Sequence, residues 1–543
     1  MCGLNGIYAY RDSAPAVVPQ ELRATRDHMA ARGPDGLGEW ISADGRIGLG
    51  HRRLSIIDLS DAAAQPMSSA DGTLVVVFNG EIYNYRELRR DLESAGRDFR
   101  SHSDTEVLLH LYAERGPAMV HALRGMFAFA IWDAARRRLF LARDPYGIDS
   151  GALVGLMRDA GAGDIQTLTL AFAEFRGRSD DEAPLAAEVA RHYGTCHTTR
   201  TVTAEEFQDD LPRIFAAMDQ PSIDGINTWF VSKAARELGL KVAVSGLGGD
   251  ELFGGYPSFA DIPRWVRWLA PAARIPTLGK TLRRLSAPVL DTSWLRSRLS
   301  PKLPSLLEYG GSDAGAYLLR RGLYLPWELE SRLDRETLHE GLRQLNPLAR
   351  VSAQLDPPLR TPFARVATLE SSLYMCNQLL RDTDWASMAH SLEIRVPLVD
   401  ARLLEQVAPL TLVAPPGTTK GWLAEAPTSP LPPRIAQRRK TGFAIPVGPW
   451  TTAGQTAVPP SPYAYSRAWA NRVAVAARDG AGAATGAMPG YAYCPDLPTG
   501  VDPVATPWSN YALVQPLNGC RRPRTGRSKE GPHRRTVLDA VWR

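Results

Sequence analysis

Apolar residues along this chain follow two spacings, and each spacing predicts its own kind of element. A β-branched and aromatic run at 75–78 predicts a buried strand that ends at the turn dipeptide Asn79-Gly80. A second buried strand is predicted at 240–244, and helices are predicted at 20–31, 211–218, 231–238 and 264–285. Strands and helices alternate between Thr167 and Val244, which is typical of βαβ units around a parallel sheet.

These periodic patterns fade after Trp450. Residues 451–460 and 481–490 are rich in Ala, Pro and Gly, and neither the helical nor the strand period persists through them. Such a segment buries too little apolar surface to offset its ordering entropy. We therefore predict disorder from about residue 455 onward.

Composition favours a large enzyme of more than one domain. The 543 residues exceed what a single core usually holds. The 63 basic and 58 acidic residues nearly balance, which disfavours a nucleic-acid partner, and the five cysteines form no C-x-x-C pair, which disfavours a zinc site or a disulfide scaffold. No signal peptide or long apolar run is evident, so we expect a cytoplasmic protein without membrane contact; the basic stretch 264–285 is expected to be a packed helix.

The first candidate for chemistry is Cys2, which follows the initiator Met1. Removal of Met1 would leave a thiol and a free α-amine on one residue, with ordinary pKa values of about 8.5 and about 8. An N-terminal amine can activate its own side chain for nucleophilic attack. Taken alone, an arbitrary second-position cysteine is the simpler interpretation of this dipeptide.

Four further residues suit the hydrolysis of a carboxamide. The Asn79 amide and the Gly80 backbone N–H suit an oxyanion hole. Arg53 can fork onto a carboxylate and Asp104 can accept from an ammonium group, as the amino-acid end of glutamine would require. In isolation, Asn79-Gly80 would predict a hairpin turn, Arg53 a surface charge and Asp104 a helix N-cap.

The segments that carry these residues resemble class II, N-terminal-nucleophile glutamine amidotransferases. They are Met1-Cys2-Gly3, Arg32-Gly33-Pro34-Asp35-Gly36, and residues 50–58, 78–84 and 103–106. The second half resembles the synthetase domain of glutamine-hydrolysing asparagine synthetases, an ATP-pyrophosphatase fold. That resemblance rests on the glycine-rich stretch 245–256 after the strand at 240–244, and on residues 219–222, 227–228, 379–384, 388–400 and 439–443.

The resemblance covers most of residues 1–450 and implies the fold and the reaction. It implies an α+β/α/β protein, with an α/β/β/α sandwich at 1–148, a parallel-sheet α/β domain with a helical C-terminal part at 149–450, and a tail at 451–543. It also implies that glutamine hydrolysis supplies ammonia to a second site, where ATP and magnesium convert aspartate to an aspartyl-adenylate. The expected partners are these small molecules and a second copy of the chain in a homodimer.

The resemblance also implies the site residues. Cys2 is the nucleophile, and the glutamine pocket comprises Arg53, Leu54, Ser55, Ile56, Ile57, Asn79, Gly80, Glu81 and Asp104. The ATP pocket comprises Gly147, Ser150, Leu170, Ser245 and Gly246, and the metal carboxylates are Asp149 and Asp250. Lys420 and Lys440 are the candidate cations for adenylate formation, with an ordinary surface lysine as the alternative for each.

The chain departs from the family pattern near Ile148. Family members carry several more strands there, followed by a strand and a pyrophosphate loop of the form Ser-Gly-Gly-x-Asp-Ser, whereas this chain has Pro145 and Tyr146 where Ser and Gly belong. Proline offers no N–H to a phosphate. We therefore expect an internal deletion, missing strands and exposed sheet edges.

Two alternatives to asparagine synthesis follow from these departures. Leu247 stands where some relatives carry an acidic residue thought to help the adenylate form, which leaves open a related amidotransferase with another carboxylate acceptor. The altered loop near Ile148 leaves open a defective family member with glutaminase activity only, or with none.

Overall fold

A computed structural model gives the fold of this chain. It describes residues 2–9, 14–143, 151–178, 181–218, 221–275, 277–290, 302–414, 418–436, 445–452, 466–476 and 512–514.

The α-helices span both halves of the chain. They are α1 Pro19–His28, α2 Tyr85–Ser94, α3 Asp104–Arg115, α4 Gly151–Asp159, α5 Ala183–Tyr193, α6 Ala204–Ala217, α7 Ile226–Glu237, α8 Gly249–Phe253, α9 Ser258–Ala273, α10 Leu278–Leu290, α11 Leu306–Tyr309, α12 Asp313–Arg321, α13 Arg335–Leu345, α14 Pro347–Ala353, α15 Pro362–Leu369, α16 Leu380–Met388, α17 Ala401–Val413, α18 Thr419–Glu425, α19 Pro433–Ala436, α20 Val447–Thr452 and α21 at 466–476. A π-helix, Glu370–Leu379, runs directly into α16. Short 3-10 helices lie at Asp61–Ala63, Gly116–Ala122, Ala173–Phe175, Leu303–Ser305, Pro326–Ser331 and Pro397–Val399.

Two antiparallel sheets build the first half. One has the order β1-β3-β2, formed by β1 Gly3–Tyr8, β2 Gly36–Ile41 and β3 Ile47–Arg53. The other has the order β12-β7-β6-β5-β4, formed by β4 Met67–Ser68, β5 Leu74–Ile82, β6 Gly125–Asp133, β7 Arg138–Arg143 and β12 Ala512–Val514.

The sheets pack face to face with helices outside, as the resemblance implied. Because successive side chains of a strand point to opposite faces, Val75 and Val77 of β5 join Leu49 of β3 in a core between the sheets. Val76 and Phe78 point the other way and pack with apolar side chains of α2 and α3. Helix α1 covers the outer face of the first sheet through the fully buried Leu22. The predicted α/β/β/α sandwich is confirmed.

The predicted strand at 75–78 exists, but the predicted turn after it is wrong. Strand β5 continues through Asn79 and Gly80 to Ile82 and pairs with β6 along that whole length. Gly80 keeps the strand going with φ of +145°, and a Cβ there would lie 2.2 Å from the Met126 carbonyl oxygen. An Asn-Gly pair marks a turn only when the strand has no partner to continue against.

The second half contains parallel strand pairs, but they form two separate sheets. Strand β8, Gln166–Phe172, pairs with β9, Cys196–Val202, and β10, Val242–Val244, pairs with β11, Glu393–Arg395. Within the described ranges, no strand joins β8 to β10. The predicted parallel pairing is therefore present, as two separate strand pairs.

The predicted helix at 264–285 is two helices. Helix α9 ends at Ala273, α10 begins at Leu278, and Thr277 between them has φ of +67°. Pro276 in the sequence explains the break, since a proline disfavours helical geometry in the residue before it. In the described part of the chain, no helix has both the length and the apolar character needed to cross a bilayer.

The prediction of disorder from residue 455 onward is wrong for two segments. Residues 466–476 form α21, whose Trp469 and Val473 are 3% exposed and pack with Phe207 and Phe215. A spacing of four residues puts both side chains on one helical face. Two apolar residues are too few to predict a helix in an Ala- and Gly-rich stretch. Residues Ala512–Val514 pair as β12 with β7, which covers that edge of the sheet along those residues.

Candidate active site

A pocket in the first half gathers most of the predicted glutamine residues around Cys2. Its lining includes Cys2, Arg53, Leu54, Ile56, Ile57, Gly80, Glu81 and Asp104. The Leu54 backbone N–H donates to Cys2 Sγ over 3.4 Å, which holds the sulfur at the pocket wall. Burial raises the pKa of the Cys2 thiol, so a nearby base is needed for it to ionise at neutral pH. A free α-amine on Cys2 itself would supply that base.

The Arg-Gly-Pro-Asp segment packs against the strand beside Cys2. A Cβ at Gly33 would lie 2.2 Å from the carbonyl carbon of Arg52, so only glycine allows this approach to β3. Asp35 then accepts a hydrogen bond of 2.9 Å from the Ser55 backbone N–H. Ser55 therefore supports the pocket wall through its backbone, although it is not among the residues that line the pocket.

The two candidate oxyanion donors lie on opposite sides of β5. Gly80 lines the glutamine pocket, whereas Asn79 lines a larger cavity between the two halves of the chain. The alternation of a strand explains the separation, which follows directly from the continuation of β5 past Phe78. The Asn79 side-chain oxygen is buried without a hydrogen-bond partner.

Arg53, at the end of β3, and Asp104, at the start of α3, both line the pocket. The Arg53 guanidinium donates to the backbone carbonyls of Ser60, over 2.9 Å, and of Asp58. Asp104 is 4% exposed and accepts from the Ile82 backbone N–H over 3.0 Å. Burial raises the pKa of Asp104 to about 7, and the charge of Glu81 adds to the effect. The N-cap of α3 is Ser103, so the alternative interpretation of Asp104 as the cap is wrong.

Two pocket residues that the sequence did not predict come from the second half. Glu393 and Arg395 of β11 line the glutamine pocket, and the Arg395 guanidinium pairs with Glu81 at 2.5 Å and with Glu393 at 2.9 Å. In the sequence these charges alternate with Leu392 and Ile394, a pattern of a strand with one apolar and one polar face. The alternation signals a polar neighbour but does not identify it.

The glycine-rich stretch of the second half follows β10 as predicted. The Ser245 backbone N–H donates to the Arg395 carbonyl oxygen over 2.8 Å, and Leu247 packs into the apolar cluster around Ile394. Asp250 is 4% exposed at the start of α8, and the ammonium group of Lys420 forms an ion pair with it. Lys420 is therefore a partner of the predicted metal carboxylate rather than a surface lysine.

Of the remaining predicted ATP, metal and cation residues, the structure describes Leu170. Leu170 lies on β8 with its side chain buried in the core that also contains Phe172 and Val202. Gly147, Asp149, Ser150 and Lys440 lie outside the described residues.

A cavity of about 630 Å³ lies between the two halves. Residues of the first half on its wall include Leu4, Arg32, Asn79 and Ala128, and residues of the second half include Trp229, Asp384, Trp385 and Met388. Most of these side chains are apolar. Because Asn79 belongs to this wall and Gly80 to the glutamine pocket, the two spaces are separated by one strand.

Family models match both halves of the chain. A glutamine amidotransferase domain model matches residues 1–150, and an asparagine synthase model matches residues 147–458, more than half of the chain. The chain belongs to the asparagine synthase family.

Curated relatives in the asparagine synthase family match most of the chain. Asparagine synthetase [glutamine-hydrolyzing] 1 of Bacillus subtilis is 28% identical over 582 aligned residues, which cover 83% of this chain and 88% of the relative. A putative asparagine synthetase [glutamine-hydrolyzing] of Mycobacterium tuberculosis is 28% identical over 601 aligned residues, which cover 84% of this chain and 89% of the relative. Both alignments are longer than the 543 residues of this chain, so both relatives contain segments that this chain lacks. This agrees with the expected internal deletion.

Metal ligands of this family member are sparse in the described ranges. No group of three or more His, Cys, Asp or Glu side chains there could cage a metal ion. Asp250 is a buried carboxylate at the glycine-rich stretch, next to Glu251. Magnesium usually binds one or two carboxylates together with substrate phosphates and water, so Asp250 fits such a site without a full protein cage.

Proposed function

We propose that this chain makes asparagine from aspartate, taking nitrogen from glutamine and energy from ATP. The observation that carries the proposal is the pocket where Cys2, Gly80, Arg53 and Asp104 meet, walled in part by strand β11 of the asparagine synthase half. A nucleophile, an oxyanion donor and two opposite charges for an amino-acid end are what hydrolysis of free glutamine requires.

In the first half, the Cys2 thiol attacks the carboxamide carbon of glutamine and the α-amine freed by removal of Met1 accepts its proton. Negative charge develops on the amide oxygen, and the Gly80 backbone N–H is our candidate donor to it. One such donor contributes about 10² to 10³ in rate. The protonated α-amine returns the proton to the amide nitrogen, so ammonia leaves as the thioester forms. Water then releases glutamate and restores the thiol. Arg53 and Asp104 hold the carboxylate and the ammonium group of the substrate.

In the second half, the aspartate side-chain carboxylate attacks the α-phosphorus of ATP, which gives an aspartyl-adenylate and pyrophosphate. Ammonia then attacks the acyl carbon and displaces AMP. We assign ATP contacts to Ser245 and Gly246, and Lys420 supplies positive charge beside Asp250. Magnesium, when bound, neutralises charge on the phosphates, and Asp250 is the described carboxylate that would hold it.

The cavity between the halves lies on the other side of β5 from the glutamine pocket, and we assign it to the route of ammonia toward the second site. It is bordered by Asn79 of the strand that also reaches the glutamine pocket, and its wall is largely apolar. An apolar wall favours neutral ammonia over ammonium, because burial of an unpaired charge is costly.

The remaining organisation follows from the same proposal. We divide the chain into a glutaminase domain at 1–148, a synthetase domain at 149–450 and a tail at 451–543, a division supported by the ranges of the two family matches. We place the protein in the cytoplasm, where ATP and both amino acids are available, and propose that it acts as a homodimer.

The proposal is tested by separating the two nitrogen sources. Cys2→Ala should abolish asparagine formation from glutamine by at least about 10³-fold, while formation from ammonium chloride, ATP and aspartate continues at the rate of the parent chain. Asparagine and AMP should appear in equal amounts. Failure of the parent chain to form asparagine from either source, with AMP absent, would contradict the synthetase assignment.

A further inference from the structure

Residues 31–35, which we call the RGPD segment, join the two halves at three points. The Ser391 hydroxyl donates to the Ala31 carbonyl oxygen over 2.5 Å. The Arg32 guanidinium forks onto the carboxylate of Asp384, with N–O distances of 2.7 and 2.8 Å. The Lys241 ammonium group pairs with Asp35 at 3.0 Å.

Arg32 differs from the other contacts because it also touches the nucleophile. Its Nε–H donates to the backbone carbonyl oxygen of Cys2 over 3.2 Å while its two terminal nitrogens hold Asp384. The guanidinium is planar and its donors have a fixed geometry. One rigid group thus bridges the Asp384 carboxylate and the Cys2 backbone.

Asp384 is itself anchored within the second half. It lies on helix α16, where Asp382 accepts from the Ser222 hydroxyl over 2.8 Å and from the Trp385 indole N–H over 2.9 Å. Side-chain exposures of 20% for Arg32 and 35% for Asp384 leave the pair only partly open to water. Both residues also line the cavity between the halves.

We propose that Asp384 is a positioning residue for the glutaminase reaction, acting through Arg32 on the backbone of Cys2. The residue lies in the synthetase half and is not among the residues that line the glutamine pocket, so its effect is on the orientation of Cys2 Sγ and not on recognition of glutamine. A displacement of about 1 Å from a reactive geometry costs about 10²-fold in rate. The proposal rests on the proposed function, since it assigns Cys2 as the glutaminase nucleophile.

The test is Asp384→Asn in the full-length chain, with removal of Met1 verified by mass spectrometry. We expect kcat for glutamine hydrolysis to fall by about 10- to 100-fold, with KM within twofold of the parent chain. Asp384→Glu should recover part of the loss. Arg32→Lys keeps the charge but loses the fork, so it should match Asp384→Asn, and the double variant should be no slower than either.

The matched control is Lys241→Met, which removes another ion pair of the RGPD segment that has no contact with Cys2. Its kcat should stay within twofold of the parent chain. An unchanged kcat in Asp384→Asn, or an equal loss in Lys241→Met, would overturn the proposal. If the parent chain hydrolyses no glutamine, the proposed function fails separately, and the alkylation rate of Cys2 by iodoacetamide decides the positioning instead: equal rates in the parent chain and Asp384→Asn would refute it.

Discussion

The backbone N–H of Ser245 donates to the carbonyl oxygen of Arg395, and the side chain of that same arginine pairs with Glu81 in the glutamine pocket. One residue thus contacts the glycine-rich stretch through its backbone and the first half through its side chain. Strand β11 is therefore shared by the two candidate sites.

Arg395→Met should weaken both the fold and glutamine use. Arg395 pairs with the half-buried Glu81 and with the neighbouring Glu393, and the variant removes that cation from both. Breaking such a pair costs about 2 to 4 kcal/mol of stability. Arg395 lowers the pKa of Glu81 against the rise caused by burial, so its loss should raise that pKa further. The loss of stability in Arg395→Met should be smaller at pH 5 than at pH 7, because the Glu81 carboxyl group is protonated to a greater extent at pH 5. Urea midpoints at both pH values measure it.

The control for this prediction is Lys241→Met, which removes another ion pair between the halves. The Lys241 and Asp35 side chains are 46% and 31% exposed, so the loss of this pair should cost under about 1 kcal/mol. Equal losses in the two variants would show that the buried position of Arg395 has no special weight.

Glutamine binding should weaken in acid because of Asp104. Its pKa in the empty pocket is raised to about 7, mainly by burial, and the ionised form is the one that accepts from an ammonium group. Above pH 7 the carboxylate is ready to bind; below pH 7 it must first lose a proton, so Kd should rise about tenfold per pH unit. Calorimetry with the Cys2→Ala variant measures this without interference from the thiol.

Asp104→Asn provides the control for that titration. Glutamine binding to this variant should be weak at every pH, with the slope below pH 7 removed. A slope that survives in Asp104→Asn would assign the titration to another group.

Gly80→Ala should abolish glutamine hydrolysis. The residue has φ of +145°, and a Cβ would lie 2.2 Å from the Met126 carbonyl oxygen, so β5 must shift away from β6 at the pocket. We expect a loss of at least about 10²-fold in kcat/KM with ammonia-dependent synthesis retained. Gly163→Ala, where a Cβ would meet open space, should be indistinguishable from the parent chain. Retained hydrolysis in Gly80→Ala would remove Gly80 from the oxyanion hole.

Trp469→Ala should destabilise the second half by about 3 to 5 kcal/mol, because it leaves a cavity in a well-packed core. Trp469 is 3% exposed and stacks on Phe215 with ring centroids 5.6 Å apart. Trp268→Ala is the matched control, since that side chain is 71% exposed and its loss should change stability by less than about 0.5 kcal/mol. Thermal unfolding followed by circular dichroism compares the two. Equal, small effects would mean that 466–476 does not pack as described.

The sequence predicted the parts of the site that local patterns determine. The strand at 75–78 follows from residue type and spacing, and the resemblance identified Cys2, Arg53 and Asp104 as companions. Local patterns failed where a partner strand decides the outcome: β6 extends β5 through Asn79 and so turns that side chain away from the pocket. Local patterns also do not predict contacts between distant segments, which is why Arg395 and the Arg32–Asp384 pair were missed as site features.

The sharing of β11 limits how this protein could be rebuilt. A chimera that takes its first 148 residues from another glutaminase would bring a new partner for Arg395 in place of Glu81, and the carbonyl that holds Ser245 would shift with it. Exchange of the halves as independent modules should therefore fail unless residues 393–395 are taken from the same protein as the glutaminase.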